Sequence, residues 1–421
     1  MYYCLILFSF LFSFDKEASL VDSIIINGNE KTKDYIIIRE IKHPHNNSPL
    51  DSVILMDDVN RLYNLGIFSN IDIFVENNIY NINVIESFNI YPIPLVDYNE
   101  TKDELSYGPA LAHSNLLGMN QKIFLGSFIY GDTGYILGYY NPWLYGNRIN
   151  LGFLALNLNP ENIFYNYNYR FILNKISSGF SLDKIHKYNY ELGFMKIDIY
   201  DIPIDHEYYH EIYSKPLKYN YFTSAFNYQH DIRDIYIDPT KGHLLNISLE
   251  YFYGINDDIE DIWVLSTMYK KFYEFDFISN PVFSYRIETK NKFPEFDRLP
   301  FSSYEYLGGE EFVRGYSSLP DEIPDKVRPL IESSNMYVIS LELQNTIFKR
   351  KDYGRVEIGL DGILFFDMGT SSKNYKSIDF SHNISGYGVG LKLFVSSIGS
   401  ISISLGFNPY GQQHLHLMDS Q

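Results

Sequence analysis

Residues 356–369 read VEIGLDGILFFDMG. Side chains on a strand alternate between two faces, and here the faces differ in kind. Val356, Ile358, Leu360, Leu364 and Phe366 fall on one face, and Glu357, Asp361 and Asp367 on the other. Such a strand separates an apolar medium from a polar one. The division recurs. In MYVISLELQ (336–344), Tyr337, Ile339, Leu341 and Leu343 oppose Ser340, Glu342 and Gln344. In SISISLGF (400–407), Ile401, Ile403, Leu405 and Phe407 oppose Ser402, Ser404 and Gly406.

A soluble sandwich also alternates, but it buries one face in a compact core. Working outward from these stretches gives sixteen candidate strands: 105–113, 120–130, 134–141, 147–158, 163–172, 177–184, 188–198, 218–230, 243–253, 262–273, 281–291, 336–346, 355–367, 384–395, 399–407 and 412–419. The number is even, and most are about ten residues long, the length that a tilted membrane strand needs. The pattern predicts a mainly β protein, a 16-stranded antiparallel transmembrane barrel over 105–421; a soluble β-protein is the alternative.

Composition agrees with a membrane wall. Tyrosine (39) and phenylalanine (31) far outnumber tryptophan (2), and aromatics favour both pleated surfaces and the edges of a bilayer. The net charge of -18 argues against a nucleic-acid partner, because phosphate binding needs concentrated Lys and Arg. Cys4 is the single cysteine, so no disulfide forms within the chain. It lies in MYYCLILFSFLFSF, an apolar run too short to span a bilayer as a helix. The run fits a secretory signal over 1–19, although no Lys or Arg precedes it; an alternative start codon or an unusual first strand is the other reading.

Residues 20–88 follow a different grammar. VDSIIINGN reads as a strand ending in an Asn-Gly turn, and KTKDYIIIREI as a helix with Thr32 as a candidate N-cap. LDSVILMDDVNRLYNLG carries apolar residues at 54, 55, 59, 62 and 65, a helical period closed by Gly66. IDIFVENNIYNINVIES reads as two strands about an Asn77-Asn78 turn. The order is strand, helix, helix, strand, strand. YPIPL (91–95) reads as a stiff linker within 89–104.

With these elements in order, the chain resembles the superfamily of outer-membrane assembly factors and two-partner-secretion transporters typified by BamA and TamA. INGNEKTKDYIIIRE and RLYNLGIFSNIDI resemble parts of a POTRA module, so 20–88 is expected to be one small α/β POTRA domain. SNLLG (114–118), YNPWLYGNR (140–148) and HDIRDIYIDPTKG (230–242) match stretches of the barrel, the first two expected at the first and second outer loops. VRGY (313–316) and FFDMG (365–369) match two signatures. The resemblance implies that the long loop 292–335 folds back into the lumen, where Arg314 meets Asp367. Parity independently puts Asp367 on the polar wall with Glu357 and Asp361. Guanidinium offers a planar fork for a carboxylate. Val313, Gly315, Tyr316 and Gly369 complete this expected loop latch, Gly315 allowing close approach and Tyr316 bracing the tip.

The resemblance also implies a lateral gate where the first and last strands meet. On this reading Gly108-Pro109 weakens the first strand, since proline cannot donate to a ladder. The final strand QHLHLMDS places His414 and His416 opposite Leu415 and Leu417. An ordinary closed seam is the alternative. Two motifs point elsewhere and are set aside. HEYYH (206–210) fits a zinc-protease pattern, but Pro203 and Pro216 leave room for only a short helix; HLH (414–416) is accounted for by barrel alternation. No cofactor, metal or catalytic residue is expected. The resemblance implies an outer-membrane protein of a diderm bacterium with its POTRA domain in the periplasm. It would assemble outer-membrane clients or, alternatively, secrete a dedicated protein. Its partners would be unfolded outer-membrane or secreted proteins, accessory lipoproteins and outer-membrane lipid. A plain diffusion pore is the third reading.

Overall fold

The computed structural model describes residues 20–44, 48–99, 104–131, 133–145, 149–162, 167–183, 185–202, 209–276, 280–300, 303–317, 327, 332–396 and 399–420. Residues 1–19, which hold the expected signal, lie outside this set.

The first domain contains β1 (Leu20–Val21), β2 (Ser23–Asn27), α1 (Asp34–Ile38), β3 (Ser48–Pro49), α2 (Ser52–Tyr63), β4 (Phe68–Glu76) and β5 (Ile79–Glu86). Its sheet runs β2-β5-β4, parallel and then antiparallel. Asp51 caps α2 by accepting from the Val53 and Ile54 N–H groups. Gly66 leaves that helix at φ 68. Asn77 and Asn78, at φ 52 and 65, make the tight turn between β4 and β5, a conformation asparagine tolerates better than most residues. The apolar period of α2 buries Leu62 against Ile36, Ile37, Ile67 and Tyr80. Thr32 does not cap α1: the capping position is Lys33, with no side-chain bond. Thr32 Oγ1 instead accepts from Asn115 Nδ2 at 2.9 Å.

The second domain contains β6 (Ile90–Asn99), β7 (Glu104–Leu116), β8 (Gln121–Phe128), β9 (Gly134–Tyr145), β10 (Ile149–Leu158), β11 (Glu161–Asn162), β12 (Tyr167–Ser181) and β13 (His186–Tyr200). After the short helix α3 (Tyr209–Tyr213) come β14 (Lys218–Asp231), β15 (Gly242–Gly254), β16 (Ile262–Glu274) and β17 (Val282–Phe293). A long connection carries the small pair β18 (Glu305–Tyr306) and β19 (Glu332–Ser333). Then follow β20 (Asn335–Asp352), β21 (Glu357–Ser372), β22 (Ile384–Val395), β23 (Gly399–Phe407) and β24 (Gln413–Ser420). All but β18 and β19 join one closed barrel of seventeen stretches. Both β10 and β11 pair with β12, so β11 continues β10 and the wall has 17 − 1 = 16 strands.

Alternation sorts the two faces. Ile339, Leu341, Leu343, Leu364, Phe366, Ile401 and Ile403 are exposed on the outside, while Ser340, Asp361, Asp367, Ser402 and Ser404 are buried inside. An apolar exterior around a polar interior, with every wall strand in one ring, meets the demand that backbone groups in lipid be satisfied internally.

The strand number is as expected, but its parts are not. The 89–104 segment expected as a linker is mostly strand: β6 pairs with β7 from Ile90↔His113 to Asn99↔Glu104. The candidates 163–172 and 177–184 are one strand, β12, which runs unbroken against β13; Asn174, exposed on the outer face, interrupts the apolar alternation. One strand missed and one split leave the total unchanged, but they reverse the direction of the early strands. SNLLG and YNPWLYGNR therefore turn at the end that carries the first domain, not at the far end; Gly146, Asn147 and Arg148 lie outside the described residues.

Those turns hold the domain. Lys33 N–H donates to Gly118 O at 3.0 Å. A side chain on Gly118, at φ 70, would strike Lys31 O. The Arg39 guanidinium lies 4.2 Å from the Trp143 ring, and burial lowers its pKa to about 10, against the pull of Glu40. Asn64 donates to Asp234 O at 3.0 Å and accepts from Tyr236 N–H at 2.8 Å. Tyr63 OH donates to Glu357, and Ser69 Oγ to Gly354 O at 3.0 Å. Four barrel turns thus seat the domain across one mouth. Asn64→Ala removes two of these bonds and is expected to weaken docking by about 2 kcal/mol. Spin labels at Met56 and Lys351 will report this as a broadened distance distribution; an unchanged one would mean that Asn64 does not hold the domain.

Candidate functional site in the barrel lumen

The connection between β17 and β20 enters the barrel from the far end. Its base packs Phe296, Leu299 and Tyr304 against Tyr167, Tyr219, Tyr221 and Val264 of the wall. Lys290 and Lys292 on β17 both reach Glu305. Beyond β18 the chain buries Leu307, Phe312, Val313 and Tyr316 with Met336, Val338 and Ile384. This packing fixes the height at which Arg314 stands.

Arg314 and Asp367 meet. Arg314 Nε donates to Asp367 Oδ2 at 2.7 Å and Nη2 to Oδ1 at 2.9 Å, the two-pronged geometry that a guanidinium gives a carboxylate. The Arg314 backbone N–H adds a third bond, at 3.1 Å. Asp367 is 0% exposed and Arg314 5%, so water hardly competes. The guanidinium also reaches Glu342 Oε1 through Nη1 at 2.9 Å and lies 3.7 Å from the Phe365 ring centre. Arg314 therefore ties the loop to both β20 and β21. Glu342 and Phe365 are partners that reading the sequence missed. Glu342 was findable, since it shares the inward parity of Ser340 and Gln344.

Gly315 has φ 99, and a Cβ there would come within 2.7 Å of Phe407 O; glycine is required twice over, by conformation and by space. Its N–H donates to His416 Nε2 at 2.9 Å, and its carbonyl accepts from Asn408 Nδ2 at 2.8 Å. Tyr316 OH donates to Ser385 O at 3.2 Å. Gly369 leaves room for the loop: a Cβ there would stand 2.9 Å from Leu307 and 3.1 Å from Val313. Two further glycines make the floor. A Cβ on Gly386 would fall 1.7 Å from Arg314 O, and one on Gly406 would fall 2.6 Å from Gly315 N. The inward run Gly386, Gly388, Gly390 on β22, beside Ser400, Ser402, Ser404, Gly406 on β23, was the available signal. A wall lined with small residues leaves space that something else must fill.

Of the expected seam residues, Gly108 and Pro109 are displaced. They lie on β7, the second wall strand, opposite Leu95 and Pro94. They mark an irregular stretch against β8, where the ladder stops at Ala110↔Gly126 and resumes at the Tyr107↔Tyr130 bridge. Proline does weaken a ladder there, but it is the wrong ladder. His414 and His416 do belong to the last strand and face inward, and His416 joins the loop latch. The ring closes between β24 and β6. Registers run along β23–β24 and β6–β7 on either side of that hydrogen-bonded closure. His206 and Glu207 of HEYYH lie outside the described residues.

At the domain end, HDIRDIYIDPTKG folds under the barrel. Arg233 grips Asp231 with two bonds of 2.9 Å. Asp238 reaches across the mouth to Gln344 at 2.9 Å and Lys392 at 3.0 Å, and pairs with Arg350. The lumen is thus crossed by charge pairs at both ends.

Stripping Arg314 to alanine leaves Asp367 and Glu342 without their shared cation, and is expected to cost the docked loop about 3 kcal/mol. Replacing the pair together, Arg314→Met with Asp367→Leu, should recover most of it. Hydrogen exchange over residues 303–317 measures both; equal protection in Arg314→Ala and the parent would refute the latch. Gly386→Val should undock the same loop with every ionic partner intact, read by the same exchange.

A family model described as the Omp85 superfamily domain matches residues 115–416. Among solved structures, BamA from Haemophilus ducreyi lacking POTRA domains 1-3 is similar at 18% identity and a TM-score of 0.56, covering 95% of this chain and 83% of that one. CdiB from Escherichia coli is similar at 13% identity and a TM-score of 0.51, covering 97% of this chain and 91% of that one. At such identities the likeness shows the fold. No curated protein matches the chain by sequence.

Proposed function

This chain belongs to the Omp85 superfamily, and from that premise we propose that it folds and inserts client β-barrels in the outer membrane of a diderm bacterium. The first domain is then a POTRA module on the periplasmic side, and the work is binding and templating, with no bond made or broken. The observation that carries the reading is the state of the closing pair. β24 closes the ring against β6, a strand that carries Pro92 and Pro94, and is also tied inward, through His416, to the lumen loop. A closing pair with two prolines on one strand is where the ring would open at least cost to an incoming strand. In hydrocarbon an unpaired group is costly, so an extended client segment is the partner such an edge favours. The free edge of the domain sheet, β2, offers the same main-chain chemistry on the aqueous side. The surroundings imply lipid against the outer wall and leave room for accessory lipoproteins on the domain.

A second reading is favoured by a separate feature. The loop rests on glycine and serine, and its removal would leave a lumen lined by small and polar side chains. That suits a transporter passing an unfolded secreted protein through the pore.

Depletion in the native host followed by quantitative proteomics of the outer membrane separates the readings. Loss of many unrelated barrel proteins is expected. Loss of one secreted or surface protein alone would replace assembly with dedicated transport. An unchanged outer membrane would remove both.

A further inference from the structure

Three of the 11 histidines stand side by side on the outer wall, at the end that carries the first domain. His186 opens β13 and lies directly opposite His230, near the end of β14. His243, at the start of β15, lies directly opposite Lys271 of β16. Parity turns all four outward. Leu192, Phe226, Leu249 and Tyr273 share their faces and are exposed, while Asp231, Leu244 and Phe272 beside them are buried inside. Ring centres are 4.7 Å apart between His186 and His230, and 4.9 Å between His230 and His243. Four nitrogen-bearing side chains thus form one row across four adjacent strands, each partly exposed.

Tyrosines flank the row on its bilayer side. Tyr188 and Tyr228 face each other at 5.2 Å, and the Tyr269 ring lies 5.4 Å from His243. Such side chains, apolar in body and polar at the tip, belong at the level of lipid headgroups. Tyr228 OH lies 2.8 Å from His186 Nδ1 and donates to it in the tautomer that leaves a proton on Nε2. His230 Nδ1 and His243 Nε2 are 3.0 Å apart and share one proton. The two neutral rings then hold one further proton, on one of their two remaining nitrogens; another charges the pair and makes both nitrogens donors. The acids nearby do not cancel the row. Asp183, in the turn below, comes within 3.9 Å of His186 Nε2. Asp231 faces the lumen in the grip of Arg233, and Glu274 is held by Lys241 at 2.7 Å. Lys271 is a standing positive charge opposite His243, which repels a metal cation and suits an anion.

We propose that the row His186, His230, His243 and Lys271 binds the phosphate of a phospholipid headgroup in the leaflet next to the first domain. The row faces lipid, so a headgroup is the anion at hand. Exposed Phe226, Leu249 and Leu265 continue the same faces toward the middle of the wall, where the acyl chains would lie. Phosphate oxygens accept from imidazole N–H and from ammonium, and a bound anion draws the further proton onto the His230–His243 pair. With β11 taken as the continuation of β10, strands β13 to β16 are the seventh to tenth in the ring, opposite the closure between β24 and β6. A headgroup held there fixes the depth of the barrel in the bilayer on the side away from that closure, whichever client the barrel serves.

The test uses the full chain, folded in a neutral detergent, with bound ligand counted by native mass spectrometry. The probes are dioleoyl phosphatidylglycerol, dioleoylglycerol, which has the same chains and no phosphate, and inorganic phosphate. The phospholipid is expected to bind about tenfold more tightly than the diacylglycerol. The preference should grow from pH 8 to pH 6, because imidazole takes up its second proton in that range. His230→Gln with His243→Gln and Lys271→Gln should erase both the preference and its pH dependence. Lys349→Gln with Lys351→Gln removes two exposed lysines from the domain end of β20 and should leave both intact. Heat-modifiable gel mobility shows that each variant is a folded barrel. An equal loss in the two variants means that charge attracts lipid without a site, and overturns the proposal. An unchanged preference in the histidine variant does the same. So does a parent preference that does not move with pH, a result that needs no variant. Inorganic phosphate bound as tightly as the phospholipid would make this an ion site and overturn its assignment to lipid.

Discussion

A carboxylate with no exposure to water has to be given a cation, and Asp367 stands on a wall whose neighbours cannot supply one. Ser340 lies opposite it on β20 and Gly386 on β22. The cation comes from 53 residues away in sequence, so the chain must fold a loop into its own pore. Much of the inner architecture follows from that. The loop needs a floor, which Gly386 and Gly406 provide by having no side chains. It needs a turn that only glycine makes cheaply, at Gly315. It needs an apolar anchor at the right height, which Val313 and Tyr316 give. Remove the ion pair and these features have no common purpose; keep it and each is required.

The stretch 356–369 does more than place that carboxylate. At its domain end Glu357 accepts from Tyr63 of the first domain. In its middle Asp361 accepts from Gln344, which also holds Asp238 of the β14–β15 turn. Near its far end Asp367 holds the loop. Three acids of one inward parity on β21 are therefore linked to the first domain, to the β14–β15 turn through Gln344, and to the lumen loop. Because side chains alternate with period two, a slip of one residue in the register of β21 would turn all three outward together. The closures are separate in space but depend on a single register.

The architecture was legible because the outer and inner faces differ in polarity along whole strands. The Arg314–Asp367 contact followed from parity together with the family signatures. What was not legible has identifiable causes. YPIPL looked like a linker because two prolines argue against a strand. That argument holds for a central strand, but β6 has a ladder on one side and the seam on the other, and both prolines turn their nitrogens to the seam. Asn174 on the outer face made one strand look like two. The glycine floor was in plain view, but alternating glycines were weighed as weak strand residues and not as space. That Glu342 would share Arg314 was hidden because Arg314 arrives on a long connection whose path no local pattern reveals.

The misplaced prolines also show why the error mattered. Gly108-Pro109 on β7 invited the idea of a weak seam for a sound physical reason, at a position one strand removed. Prolines are tolerated in a sheet where their missing donor faces no partner. Pro92 and Pro94 meet that condition only if β6 does not rely on β24 for a full ladder. Their presence on the first wall strand, with exposed rings and nitrogens toward β24, is therefore a statement about the seam made by the backbone itself. The bond from Gly315 to His416 is its counterpart: a strand whose neighbour across the seam carries two prolines is also held from inside. The weakness of one edge and the inward tether of the other are two sides of one arrangement. The loop that neutralises Asp367 is the element that joins it to the rest of the barrel.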